Sequence, residues 1–343
     1  RCVMFAVVRS GDFCFFCPTM GDTHTQDLAA PSIPTTLIAS SITDFLLKSR
    51  KKRRTSGAAQ QRHENWDGVL EFSNVHGKIE ATRAYAKYPL KFLIPRKASK
   101  SDSNCAWVYM LSYGGGLLAN DTISISLELK ADTTVALTTQ SSTKVFKGPA
   151  GSAQALVARV GPGAALACVP GPVAPFRDAA YRQAQEFWLH DETSNLIVVD
   201  WFTSGRMERG EIWDFSLYQS KTAIYIGGKL LAFDPVQIEP HKQKHQLLMG
   251  SLMNVFATVF VIGSAFQPIL DQFAEEQSRK SFSAEVKRCA QRKDDFMNGT
   301  GGSRNFEHDG NIVSCFSRLE GAPSPAGVYR LAAPSPLGAR RRL

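Results

Sequence analysis

Along residues 122 to 129, Ile123, Ile125, Leu127 and Leu129 alternate with Ser124, Ser126 and Glu128. That period of two gives a strand with one apolar and one polar face. Similar short runs recur at 107 to 111, 134 to 139, 153 to 160, 164 to 169, 181 to 189, 195 to 202, 211 to 218, 222 to 226 and 229 to 233, with Gly, Pro, Asp and Asn in the gaps. No helical period lies between them, so the pattern predicts a mainly β body rather than an α/β nucleotide-binding fold. A sandwich, a barrel and a solenoid all fit the pattern, and no fixed-period repeat decides among them. Val255 to Ile262 predicts a further strand. Phe266, Ile269, Leu270 and Phe273 then fall at helical spacing with Asp271, Glu275 and Glu276 opposite, which predicts an amphipathic helix near 265 to 280. From 298 the chain is rich in Gly, Ser and Pro and reads as loose apart from a strand at 311 to 316.

Three domain-scale segments follow. Residues 1 to 65 lack periodicity and read as a poorly ordered basic extension, 66 to 330 as a single β domain, and 331 to 343 as a loose basic tail. The formal charge of +9 adds little to this picture, because Lys48, Arg50, Lys51, Lys52, Arg53, Arg54 and Arg340, Arg341, Arg342 account for all of it. A neutral body is a poor match for a phosphate backbone, which argues against nucleic-acid binding by the folded part. The run 48 to 54 has the pattern of a nuclear-import signal or of a contact with anionic partners, and a solvated tail is its plainer reading. Seven scattered cysteines show no disulfide rhythm, which favours a reducing, cytoplasmic setting. Cys14 and Cys17 form one C-x-x-C without the second pair that structural zinc needs. Gln246 to Leu270 contains no Asp, Glu, Lys or Arg, but Gly250, Asn254, Gly263 and Pro268 break it up. A buried strand and turn fit it better than a membrane span.

Candidate chemistry begins with "YGGGLLAND" at 113 to 121. A phosphate loop needs Lys-Ser or Lys-Thr after spaced glycines, and here Leu117 and Leu118 follow. Gly114, Gly115 and Gly116 therefore read as a turn between strands, with Asn120 and Asp121 supplying turn chemistry. Three other stretches place polar groups where a plain core has apolar ones. They are the run Thr138 to Lys144, the prolines 170, 172 and 175 ahead of Gln183 and Gln185, and the mixed charges Asp200, Arg206, Glu208, Arg209 and Glu211 around Gly205 and Gly210. Solvated turns and ion-pair networks account for any one of them alone. His241 and His245, four apart, have a spacing that suits nickel on one helix face, although Lys242 and Lys244 point to an exposed face.

Taken in order, "YPLKFL" at 88 to 93, "LSYGGGLLAND" at 111 to 121, "LTTQSSTKVFKGP" at 137 to 149, "PGPVAPF" at 170 to 176 and "DWFTSGRMERGE" at 200 to 211 resemble the urease accessory protein UreD (UreH) family in its eukaryotic form. The resemblance is close over 68 to 240 and looser over 250 to 330. It implies a β-helix-like solenoid with a few helices toward the C-terminus, and a scaffold rather than an enzyme. The implied partners are UreF, the GTPase UreG and apo-urease, with no membrane or nucleic-acid partner. No cofactor would be permanently bound, and nickel would pass through in transit. A conduit has to release its ion, so carboxylates, hydroxyls and amides suit it. On this reading Asp121, Asp200, Glu208 and Glu211 face the cation. Thr139, Gln140 and Gln183 line the path with Lys144, and Arg206 and Arg209 fix carboxylates or meet a partner. Asn120 stands where the family has glycine, and the ending "PSPLGARRRL" departs from the family's closing helix, which bears on the surface for UreF. A contrasting reading is an all-β carbohydrate hydrolase with Asp200 and Glu211 as paired carboxylates.

Overall fold

The computed structural model describes residues 66–95, 104–148, 150–240, 253–279 and 312–340. The basic run 48 to 54, the C-x-x-C at 14 to 17, His241, His245 and the rest of residues 1 to 65 lie outside the described residues.

The body is a β-solenoid of about three turns, closed by antiparallel strands at both ends. The chain enters through β1 (Gly68–Val75), β2 (Lys78–Ala86) and β3 (Leu90–Leu93), then winds through β4 (Ala106–Ser112), β5 (Gly116–Leu117) and β6 (Thr122–Leu129). The next turn is β7 (Thr134–Thr139), β8 (Thr143–Val145) and β9 (Ser152–Val160), followed by β10 (Ala165–Cys168), β11 (Val173–Pro175) and β12 (Ala180–Leu189). After β13 (Asn195–Thr203), β14 (Leu217–Ile226) and β15 (Lys229–Ile238) come β16 (Val255–Ile262), helix α1 (Gln267–Arg279), β17 (Val313–Arg318), β18 (Ala326–Ala333) and the short helix α2 (Pro336–Arg340).

Two large sheets result. One runs β15-β14-β12-β9-β6-β1-β2, and the other runs β17-β18-β16-β13-β10-β7-β4-β3. Within the turns β6, β9, β12 and β14 are parallel neighbours, as are β4, β7, β10 and β13. Each turn adds a short strand at one corner, where β5, β8 and β11 stack in parallel. Leu117 pairs with Val145 and Val145 with Pro175, so residues about thirty positions apart become neighbours. The repeat is one of geometry, with different residues in each turn. That is why no sequence period betrays it.

The main core lies between the two sheets. Leu127, Leu156, Phe187 and Ile224 from the first meet Leu137, Leu166, Val198 and Phe260 from the second. A second cluster covers the outer face of β13, β16 and β18, where Leu270 and Phe273 of α1 pack on Val199, Val259 and Tyr329. The stack of Phe273 on Tyr329, with ring centroids 4.4 Å apart, anchors α1 there. Pro268 sits in the first turn of α1, where a missing N–H leaves no helical bond unmade. No helix among the described residues is long and apolar enough to cross a membrane.

Two expectations are corrected. The runs 211 to 218 and 222 to 226 are one strand from Leu217, with 211 to 216 a connection in which Trp213 has a φ of 58°. The apolar alternation missed this because Ser220 and Thr222 occupy inward positions. The stretch from 298 is also not loose over its described part, since β18 lies between β17 and β16 and α2 follows it. Its small residues have a packing reason: a Cβ on Gly327 would lie 2.5 Å from the Phe316 ring.

The glycine triplet serves two purposes. Gly114 and Gly115 have φ of 82° and 72°, which a bare backbone adopts without penalty. Gly116 is extended, and there the constraint is space: a Cβ would stand 2.6 Å from the Lys144 carbonyl oxygen and 2.7 Å from the Phe146 ring. Gly116→Ala should therefore force β5 away from β8 and cost about 1–3 kcal/mol, the usual penalty of overpacking. Thermal unfolding monitored by circular dichroism checks this, and an unchanged midpoint would mean the corner does not stack as described.

Candidate functional site

Alternation along β13 decides where its one acidic residue points. Leu196, Val198 and Phe202 belong to the core between the sheets, while Val199 and Trp201 belong to the cluster under α1. Asp200 shares the parity of the first set and so faces the interior. The same parity turns Gln183 and Gln185 of β12 inward with Tyr181 and Phe187, and Ser220 and Thr222 of β14 inward with Tyr218 and Ile224.

Register then lines these groups up. Gln154, Gln183 and Ser220 are successive cross-strand neighbours on the first sheet, as are Gln185, Thr222 and Asp234. On the second sheet Asp200, Thr258 and Arg330 form the facing row. A polar seam thus crosses the strands between apolar and aromatic layers, along the axis in which the turns stack.

Asp200 is the hub of the seam. Its Oδ1 accepts from Gln183 Nε2 at 3.2 Å and Tyr218 OH at 3.4 Å, and its Oδ2 from Ser220 Oγ at 2.5 Å and Thr222 Oγ1 at 3.5 Å. Two relays stand behind those hydroxyls: Gln183 Nε2 donates to Ser220 Oγ at 3.2 Å and Gln185 Nε2 to Thr222 Oγ1 at 3.3 Å. Tyr181 OH closes the network, 2.9 Å from Gln183 Oε1 and 3.3 Å from Gln154 Oε1. Such a network orients every acceptor, and in a low dielectric each bond polarises the next.

Burial raises the Asp200 carboxyl above the usual carboxylate range, and Asp234 adds to the effect against the hydrogen bonds from Ser220, Gln183 and Tyr218. Burial, with the Asp200 charge second, pushes the Cys168 thiol up to about 12 and the Tyr181 and Tyr218 hydroxyls well above their ordinary values. A small cavity of about 30 Å³, partly open to solvent, adjoins the hub. Thr139, Gln154, Cys168, Gln183, Gln185 and Asp200 supply its polar lining, and it reaches the corner loops at Thr143, Pro170 and Gly171. Hydroxyls, amides, one carboxylate and a protonated thiol form a donor set suited to brief contact with a hydrated divalent ion. Among the described residues, no group of three or more His, Cys, Asp or Glu is placed to hold a metal.

The remaining candidates fall elsewhere. Glu211 accepts from Arg206 Nε at 2.7 Å and pairs again through Arg206 Nη2, while its Oε2 receives the Arg177 N–H at 3.3 Å. The guanidinium lies 3.9 Å above the Phe176 ring, and Phe176 meets Phe146 edge-on at 5.0 Å. This ladder is built on successive turns of the corner, so "KVFKGP", "PGPVAPF" and "TSGRMERGE" are stacked rungs of one edge. Asp121 receives the Leu118 N–H at 2.8 Å and fixes the turn in which Asn120 has a φ of 72°. Glu208 and Arg209 are exposed on a single 3-10 turn, Met207–Arg209, which Gly210 ends at a φ of 71°. Gly205 has a φ of 140°, and a Cβ there would meet the Glu211 carbonyl oxygen at 2.5 Å. Gln140 and Lys144 are exposed.

The structure therefore brings Asp200, Gln183 and Thr139 to one cavity and leaves Asp121, Glu208 and Glu211 outside it. Asp200 and Glu211 share no hydrogen-bond partner. Sequence reasoning missed Gln154, Ser220, Thr222, Asp234 and Arg330. The signal was available for the strand residues, since each is a polar group at a core-parity position.

A family model described as UreD urease accessory protein matches residues 67–302. Urease accessory protein D of Oryza sativa subsp. indica is 41% identical over 214 residues, spanning 61% of this chain and 69% of the rice protein. Urease accessory protein D of Arabidopsis thaliana is 38% identical over 229 residues, 63% of this chain and 77% of its own length. An uncharacterized ureD-like urease accessory protein of Schizosaccharomyces pombe is 31% identical over 234 residues, 64% of this chain and 79% of its own length.

Two pH-dependent outcomes follow. A carboxyl whose folded pKa is raised supplies stability below the unfolded carboxylate range and loses it as pH rises through the folded value. Asp200→Asn should accordingly raise the thermal midpoint at neutral and higher pH, with the gain closing near about pH 4, where the unfolded carboxyl also protonates. A lower midpoint at every pH would contradict the burial cost. Glu211 behaves oppositely. Arg206 holds its carboxyl below the usual range, so the pair stabilises above that range and stops doing so as pH falls through the lowered value. Arg206→Met should destabilise at neutral pH, and melting curves of the variant and parent should converge in acid.

Proposed function

Because the chain belongs to the UreD family of urease accessory proteins, we propose that it is a non-catalytic scaffold of urease maturation whose interior seam passes nickel toward apo-urease. The observation that carries this reading is the Asp200 hub, a single carboxyl presented to a cavity by three hydroxyls and one amide from four inward positions on the facing sheet. A structural core has no use for a carboxylate that costs burial energy and opens on a cavity.

Nickel is the cargo. Burial holds Asp200 toward its neutral form, and an arriving cation favours the ionised form, so the ion enters as a proton leaves to water. Gln183 and Gln154 offer amide oxygens when Tyr181 releases them, and Thr139 offers a hydroxyl near the corner. None of these is a ligand that would hold a borderline ion tightly. Cys168 would be, but its proton stays on at neutral pH, which keeps the soft thiolate out of play. The corner ladder and the open outer surfaces are then free for docking to UreF-like, UreG-like and urease partners.

Asp200→Asn tests the proposal in cells that express the urease and its other accessory proteins. The variant should co-purify with the same partners while nickel per urease and urease activity both fall by roughly tenfold, the ratio that about 1.4 kcal/mol of lost cation stabilisation gives. Full activation by the variant would remove the seam from the nickel path. Lost partners together with lost activity would instead make Asp200 a docking determinant.

A further inference from the structure

The seam ends at a buried ion pair that the sequence reading did not find. Arg330 Nη2 donates to Asp234 Oδ1 at 2.7 Å, and the two side chains are 13% and 5% exposed. They come from opposite sheets, Asp234 from β15 and Arg330 from β18. Both belong to the Asp200 neighbourhood. Asp234 lies opposite Thr222, whose hydroxyl reaches Asp200. Arg330 lies opposite Thr258, which lies opposite Asp200, so Arg330 and Asp200 share one face two strands apart, about 10 Å by strand spacing. Two carboxyl groups and one guanidinium are therefore gathered in the interior.

Charge count governs how long a divalent ion stays. One carboxylate attracts it, whereas two carboxylates flanking one hydroxyl, in a low dielectric and with Ser220 and Thr258 beside them, would make a retaining site. We propose that Arg330 sets the affinity of the seam for its cargo: by cancelling Asp234 it leaves Asp200 as the one uncompensated carboxylate of the seam among the described residues, so that a divalent cation is admitted and then released. This rests on the conduit reading of the seam. Arg330 is a specificity-determining residue here, acting through Asp234 rather than by touching the ion. It lies beyond the matched residues 67–302.

The test uses the full chain and nickel chloride alone, with no urease present. Arg330→Met should bind nickel at least about tenfold more tightly than the parent by equilibrium dialysis, equivalent to about 1.4 kcal/mol. Its thermal midpoint should rise with added nickel while the parent midpoint does not. Arg330→Met with Asp200→Asn should lose that gain. Arg330→Met with Asp234→Asn, which removes the pair as a unit, should bind as weakly as the parent. Nickel binding by Arg330→Met no tighter than by the parent would overturn the proposal. Breaking a buried pair costs stability, so Asp234→Asn is the companion variant should Arg330→Met not fold. There Arg330 opposes Asp200 directly, and nickel delivered to urease should fall. Delivery at the parental level would equally overturn the proposal. Failure of the conduit reading is distinct, because it shows as normal urease activation by Asp200→Asn and leaves the nickel titrations untouched.

Discussion

A carboxylate on the inward face of a strand has to find its hydrogen bonds across the gap between two sheets, and the rest of this interior is arranged around that need. Asp200 keeps little of its solvent shell. Four side chains of the facing sheet replace that shell, and two of the four hydroxyl and amide donors are themselves held by glutamines. The solenoid makes the arrangement affordable. Parallel neighbours in strict register place like positions of successive turns side by side, so a polar residue in one turn meets polar residues in the next rather than an apolar wall. The fold thus converts a period of two within strands into a polar row that runs across them.

The same register explains the corner. Phe146 and Phe176 each follow a short corner strand by one position, Arg206 lies just beyond the end of β13, and they stack as ring on ring and guanidinium on ring. Glu211 holds the last rung. These contacts stabilise the edge on which the cavity opens, which places mechanical support beside the seam without adding charge to it. The two charged features differ in consequence. The Arg206–Glu211 pair is a closed fork at the corner with its carboxylate buried, whereas Asp200, inside, is met by hydroxyls and an amide.

Much of the fold was legible in the chain. The alternation at 122 to 129 and its repeats gave the strands, and the spacing of Phe266, Ile269, Leu270 and Phe273 gave α1. What misled was polar matter at inward positions and small residues in tight places. Ser220 and Thr222 hid the length of β14, while Ala326, Gly327, Ala332 and Ala333 disguised β18 as a loose segment. For the site, Asp200, Gln183 and Thr139 were legible as misplaced polar residues. Glu211 was grouped with Asp200 because the two are close in sequence, and nothing in a linear reading reveals that the chain turns a corner between them. Asp234 and Arg330, ninety-six positions apart, meet only because the closing strands fold back across both sheets.

If a cation travels through the space beside Asp200, filling that space without altering charge should stop it. Thr139→Trp would occupy the cavity, and Thr134→Trp, on the outward face of the same strand, is its control. The measurement is nickel transferred per urease from a nickel-loaded assembly of the purified accessory proteins. Thr139→Trp should assemble normally and deliver little nickel, while Thr134→Trp should deliver the parental amount. Equal delivery by both would show that the ion takes another route.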